Sequence, residues 1–278
     1  MIKSDSVKRK IKNISQKSGI RPQDLLQMFM FEQFLIKLSQ SKYKHNFILK
    51  GGFLLSKIFG ENNRTTRDID TTIKGLPLKE ENIKQIITEI INIPTQENII
   101  FKLVNIENIR KDDLYSGLRV TINITFETIN ENLKIDITAE DIIIPKEIQF
   151  EYKMMFEDKS IFIITYSIET IIAEKFETII SRNALNTRAK DFYDIYTLVK
   201  LNNYDKENLV KAVNKTFSKR NTTTNIKEIE SIIKDISSSK ILIDLWNKYQ
   251  EIYIYAKDIN FNDITESLNK IVKVLKNI

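Results

Sequence analysis

Apolar positions follow two regimes along the 278 residues. Up to about residue 165, short alternating runs are interspersed with helical spacing. Beyond it the spacing is helical throughout. Residues 22–41 (PQDLLQMFMFEQFLIKLSQS) carry helix-like apolar spacing, with Pro22 and Asp24 suited to a first turn. FILK at 47–50 reads as a short buried strand, and Gly51-Gly52 then opens an apolar helix ending near Gly60. RDIDTTIKG at 67–75 alternates as a strand stopped by Gly75, and 79–91 is helical. Further strands are predicted at 99–106, 118–127 and 133–138. RVTINITF (119–126) alternates so cleanly that one face must be buried. In LKIDIT, Leu133, Ile135 and Ile137 face one way while Lys134, Asp136 and Thr138 face the other. SIETIIAEKFETIISR, TRAKDFYDIYTLVKL and the rest of the chain to Ile278 read as helices. The class is α+β: a mixed β-sheet domain over 1–165, beginning with a basic helical segment at 1–41, then an all-helical domain over 166–278.

Composition narrows the chemistry. There is no cysteine and one histidine, His45, which precedes an apolar run and reads as a surface or boundary residue. A thiolate nucleophile, a cysteine zinc site and an iron–sulfur cluster are excluded, and a two-histidine zinc site lacks its ligands. Carboxylates, lysines, arginines, hydroxyls and backbone amides remain, and carboxylates suit hard cations such as magnesium. No apolar run approaches the roughly 20 residues that span a bilayer. The N-terminal sequence lacks the apolar core of a secretory signal, so no membrane association and a cytoplasmic location are expected. Lys3, Lys8, Arg9, Lys10, Lys12, Lys17 and Arg21 stand against one acid, Asp5, so the first 21 residues hold a charge equal to the +6 of the whole chain. Such a segment is either a solvated helix or a contact for phosphates or an acidic partner.

Four segments bear on chemistry. In LKGGF (49–53), Gly51 and Gly52 between a strand and a helix let backbone amides approach an anion, although paired glycines also make simple tight turns. In TRDIDTTI (66–73), Asp68 and Asp70 are two apart on a strand, so both carboxylates project from one face. Their repulsion is relieved by a divalent cation that can also grip nucleotide phosphates; the alternative is a solvated strand face. Asp136 offers a third carboxylate that would complete a two-metal clamp or accept a proton, or it is an exposed edge residue. In the helical half, EKFETIISR (174–182) sets Lys175 and Arg182 near one face two turns apart, and TRAKDFYD (187–194) crowds Arg188, Lys190 and Asp191 at the start of the next helix, with Asp194 one turn on. Taken singly, these are accounted for by helix salt bridges worth a few tenths of a kcal/mol each.

The order of these motifs resembles the polymerase-beta-like nucleotidyltransferase fold, and with E-K-x-x-x-x-x-x-R and R-x-K-D-x-x-D it resembles the abortive-infection toxins of the AbiE type (AbiEii). The match covers roughly residues 45–200. The stretch from Gly52 to Asp68 is long for the fold and leaves room for a substrate loop carrying Arg64 and Arg67. The resemblance implies a nucleotidyltransferase-fold sheet domain whose active-site cleft is completed by the helical domain. It implies a toxin paired with a cognate antitoxin in defence against phage, moving a nucleoside monophosphate from an NTP to RNA, at the 3′ acceptor end of tRNA, and so stopping translation. By the same resemblance, Asp68 and Asp70 hold magnesium, with Asp136 as a third metal ligand. Gly51 and Gly52 cradle the triphosphate, and Lys175 neutralises phosphate charge. Asp191 orients Lys175 or activates the hydroxyl, and Arg67, Arg182 and Lys190 make secondary phosphate contacts. Two alternatives stay open: transfer to a small molecule or protein hydroxyl, and a nucleotide-binding regulator that no longer catalyses.

Overall fold

The computed structural model describes residues 3–59, 69–96, 98–109, 117–139 and 141–277, without the side chains of Phe53, Ser56 and Lys57. It divides into two compact units, Met1–Asp141 with Ile148–Thr165, and Ile142–Glu147 with Tyr166–Ile278.

The first unit opens with helices α1 (Ser4–Ser18) and α2 (Pro22–Gln40), strand β1 (Phe47–Leu49), helix α3 (Gly51–Ile58), strand β2 (Ile69–Ile73) and helix α4 (Glu80–Ile91). Strands β3 (Ile100–Ile109), β4 (Gly117–Phe126), β5 (Ile129–Ala139), β6 (Ile148–Lys153) and β7 (Ser160–Thr165) follow. Among the described residues they form one seven-stranded sheet in the order β3-β4-β5-β2-β1-β7-β6. The sheet is mixed: β2 runs parallel to β5 and antiparallel to β1, and β1 runs parallel to β7. The alternation expected of 119–126 and 133–138 is realised. Val120, Ile122, Ile124 and Phe126 on β4 and Leu133, Ile135 and Ile137 on β5 are buried. They share a core with Leu25, Phe29, Phe34 and Leu35 of α2 and with Ile83, Ile87 and Ile90 of α4. Each such burial contributes roughly 1.5–3 kcal/mol. The intervening positions on β4 and β5 are polar and half-exposed or exposed, so one face of these strands makes the core and the other does not.

Three points differ from the sequence reading or add to it. Strands β6 and β7 lie between the last expected strand and the helical half. Their signal was present: IQFEYK alternates strictly, and SIFIIT is a short apolar run. Helix α2 also buries Glu32, whose carboxylate accepts from Tyr152 Oη (3.0 Å) and the Met155 amide (2.6 Å), tying the β6–β7 hairpin to the helix. A buried carboxylate is tolerable only with such partners. Helix α1 is not merely solvated, since Val7 and Ile11 enter the core. Ser4 anchors it by donating through its amide (2.9 Å) and hydroxyl (2.5 Å) to Glu127.

The second unit contains α5 (Ile168–Arg182), α6 (Ala189–Leu201), α7 (Lys206–Lys219), α8 (Ile226–Ser238), α9 (Lys240–Ile252) and α10 (Phe261–Lys276). The starts are chemically marked. Ser167, Asp205, Asn225 and Ser239 accept backbone N–H groups at the N-caps of α5, α7, α8 and α9, and Asn225 with Glu228 makes a capping box. Phe176, Phe192, Leu198, Leu209, Trp246, Ile264 and Leu268 are buried, and the Trp246 indole donates to the Ile259 carbonyl at 2.8 Å. Among the described residues no helix is long and apolar enough to cross a membrane.

Candidate functional site

In the sheet unit, register assembles a charged row that crosses five strands. Asp70 on β2 is exposed between buried Ile69 and Thr71, and its partner on β5 is Asp136. Asp136 faces Arg119 on β4, and Arg119 faces Glu107 on β3. On the other side, the Lys50 amide donates to the Asp70 carbonyl at 2.9 Å, prolonging the β1–β2 ladder by one residue. Residues paired in register on neighbouring strands project from the same face. Lys50, Asp70, Asp136, Arg119 and Glu107 therefore alternate as cation, two anions, cation, anion.

The contacts along this row are strong ones. Arg119 grips Asp136 with two parallel bonds, Nε to Oδ1 at 2.7 Å and Nη2 to Oδ2 at 2.8 Å. Lys50 donates to Thr138 Oγ1 at 2.5 Å and ion-pairs with Asp141. One residue beyond Lys50 lies Gly51, the first residue of α3, with φ +34° and nothing within 4 Å of where a Cβ would sit. Gly52 follows, half-buried, in the same first turn. A helix start with open space above its first glycine is a physical setting for an anion.

The donors suit a hard divalent cation, with one qualification. Magnesium takes one or two carboxylates and fills its other positions with water and phosphate oxygens. Asp70, exposed beside a second carboxylate, meets that need. Asp136 accepts one Arg119 bond on each oxygen, which leaves each a further lone pair for a cation while the guanidinium shares its charge. Asp68 and Arg67, named from the sequence as metal ligand and phosphate contact, lie outside the described residues. Among the described residues no group of three or more His, Cys, Asp or Glu side chains gathers as a metal site.

The helical unit holds the other sequence-named residues. Lys175 on α5 places its ammonium 2.7 Å from Asp191 Oδ1 and 2.7 Å from Asp194 Oδ2, both on α6. The three side chains are 14, 12 and 0% exposed. This overturns the weak surface salt bridge that helical spacing alone suggested: one lysine is clamped by two carboxylates inside the unit. Asp191 sits in the first turn of α6, where a negative charge is favoured by the helix dipole. Arg182 ends α5 and Lys190 neighbours Asp191, both half-buried. Sequence reasoning did not assign Lys50, Arg119 or Asp194 to a site. Asp194 carried a signal in its three-residue spacing from Asp191, and Lys50 in its place before the glycines. Arg119 carried none, because only strand register sets it opposite Asp136.

Residues 33–268 match the family model described as nucleotidyl transferase AbiEii toxin, type IV TA system. No curated protein matches. Among solved structures, an H. pylori chain named as a candidate nucleotidyltransferase is 16% identical, covering 92% of this chain and 98% of its own, at TM-score 0.49. JHP933 from Helicobacter pylori is 17% identical, with 92% and 95% covered and TM-score 0.49. An antigenic nucleotidyltransferase-like protein from Paracoccidioides brasiliensis is 13% identical, with 84% and 90% covered and TM-score 0.39. The family assignment rests on the family model rather than on these distant likenesses.

Proposed function

Because the chain belongs to the AbiEii family of nucleotidyltransferase toxins of type IV toxin–antitoxin systems, we propose that it transfers a nucleoside monophosphate from an NTP to an RNA hydroxyl, at the 3′ acceptor end of tRNA. The observation that carries this reading is Asp70, exposed in register with Asp136, on a row that also holds Lys50, the residue before the open first turn of α3. The acceptor oxygen attacks the α-phosphorus, the bond to the bridging oxygen breaks, and pyrophosphate leaves. Magnesium, when bound, supplies counter-charge to the triphosphate. Asp70, with Asp68, is the carboxylate set that would hold it.

The chain's own groups have separable tasks in this reading. Gly51 and Gly52 offer backbone amides to phosphate oxygens. Arg119 fixes the orientation of Asp136 beside Asp70. Lys175 neutralises phosphate charge, Asp191 orients Lys175, and Arg182, Lys190 and Arg67 add phosphate contacts. The same reading takes a separate antitoxin as partner and a cytoplasmic setting. The test is incubation of the purified protein with each labelled NTP, magnesium and total RNA. Label on tRNA is the expected result. Label on protein or on a small molecule, with none on RNA, replaces the acceptor, and NTP binding without any transfer overturns catalysis.

A further inference from the structure

We propose that the core-free face of β3, β4 and β5 is a track for the acceptor RNA strand, leading to the aspartate row; this rests on the RNA-acceptor reading above. Register places Asn105, Thr121 and Lys134 beside one another, then Lys102, Asn123 and Asn132, then Ile100, Thr125 and Asn130. All are exposed or half-exposed. Beyond the aspartate row, these described positions hold two lysines and no acid.

Hydrogen bonds join side chains across this face. The Asn123 amide nitrogen donates to the side-chain oxygens of Asn130 (2.7 Å) and Asn132 (2.9 Å), and its oxygen accepts from Thr125 (3.3 Å). The exposed Asn130 and Asn132 side chains, each able to donate, stand on this face with Lys102 and Lys134. A donor-rich, acid-free strip suits a ligand made of acceptors, such as phosphate oxygens, 2′-hydroxyls and base edges. It does not suit an acceptor substrate of a few atoms, since β5 runs about 24 Å from Ile129 to Asp136 at roughly 3.4 Å per residue. At the far end, Lys8 of α1 donates to Thr128 Oγ1 at 2.6 Å, beside Glu127 in the turn that joins β4 and β5. The strand enters over that turn and presents its 3′-hydroxyl at Asp70.

The experiment compares full-length wild type with Asn130→Asp/Asn132→Asp, which keeps shape but replaces amide donors with negative charge, and with Lys102→Glu. Melting temperature and NTP Kd, measured directly, should match wild type. The RNA KM should rise about tenfold or more in both, and Lys102→Glu should lower the slope of log affinity against log salt by about 1. If wild type labels RNA and both variants keep its RNA KM and salt slope, the track is wrong while the function stands. If wild type labels only a protein or small molecule, the RNA reading fails first and the track falls with it.

Discussion

Gly51 has a backbone conformation that L side chains rarely adopt, φ +34°, and no atom stands where a Cβ would point. Gly51→Ala therefore costs conformational energy without a clash, about 1–2 kcal/mol. Were the turn only a turn, that would be the whole effect. If a phosphate approaches the same open space, the added methyl intrudes on it, and NTP affinity should fall by about tenfold or more, equivalent to about 1.4 kcal/mol. Calorimetric melting beside a direct NTP titration separates the two, and an unchanged Kd would return the glycines to a structural role. The Arg119–Asp136 pair behaves differently. It is bidentate, but Arg119 is 35% exposed, so solvent screening keeps its contribution to stability below about 1 kcal/mol. Its consequence is orientation of a carboxylate beside Asp70 rather than stability.

Helices α5 and α6 are joined by charge in a place where charge is costly. Replacing Lys175 with Met takes the shared counter-charge from Asp191 and from Asp194, at 12 and 0% exposure, and should cost about 3 kcal/mol or more. Asp194→Leu together with Lys175→Met removes the fully buried charge and leaves Asp191, 12% exposed in the first turn of α6, so much of that loss should be recovered. Urea unfolding of the single and double variants checks this, and wild-type stability in Lys175→Met would refute the clamp. Loss of activity in Lys175→Ala alone is consequently ambiguous, and the stability-matched double variant is the better comparison. Helix α1 is a second case. Deleting residues 1–18 removes Val7 and Ile11 from the core, so a loss of about 3 kcal/mol is expected before any effect on RNA. The two Ser4 hydrogen bonds, side chain first, hold the Glu127 carboxyl below its ordinary value of 4.5, with Lys3 and Lys8 adding to them. The folded pKa is the depressed one, so the anchor's contribution is complete above pH 4.5 and is lost as pH falls through the lowered value. Amide exchange of the first turn of α1 should accelerate over that acid range. Protection that stays flat there would show that Glu127 does not hold the helix.

For the molecule as a whole, membership in a toxin family makes growth the natural readout. Induced expression of the wild-type chain should arrest growth. Asp70→Asn, which preserves shape on an exposed position of β2, should relieve the arrest at matched protein level and reduce nucleotide transfer by about 100-fold or more. Arrest by Asp70→Asn equal to wild type would remove the row from the chemistry.

What the sequence by itself determined were properties local to a segment. Strict alternation in 119–126 set which residues of β4 are buried, since side chains on a strand change face at every residue. The paired glycines marked where α3 begins, and helical spacing marked the second unit. Tertiary structure decided everything that depends on which segments become neighbours. Asp70 and Asp136 meet because β2 pairs in parallel with a strand about 66 residues away. Arg119 reaches Asp136 only through the β4–β5 register, and a one-residue slip would turn the guanidinium into the core. Lys175 likewise meets two carboxylates because α5 packs on α6, where burial turns an ordinary surface pairing into a clamp. Periodicity reports which face of a segment avoids water. It carries no information about the partner that face will find, and in this chain the candidate site is made of such partners.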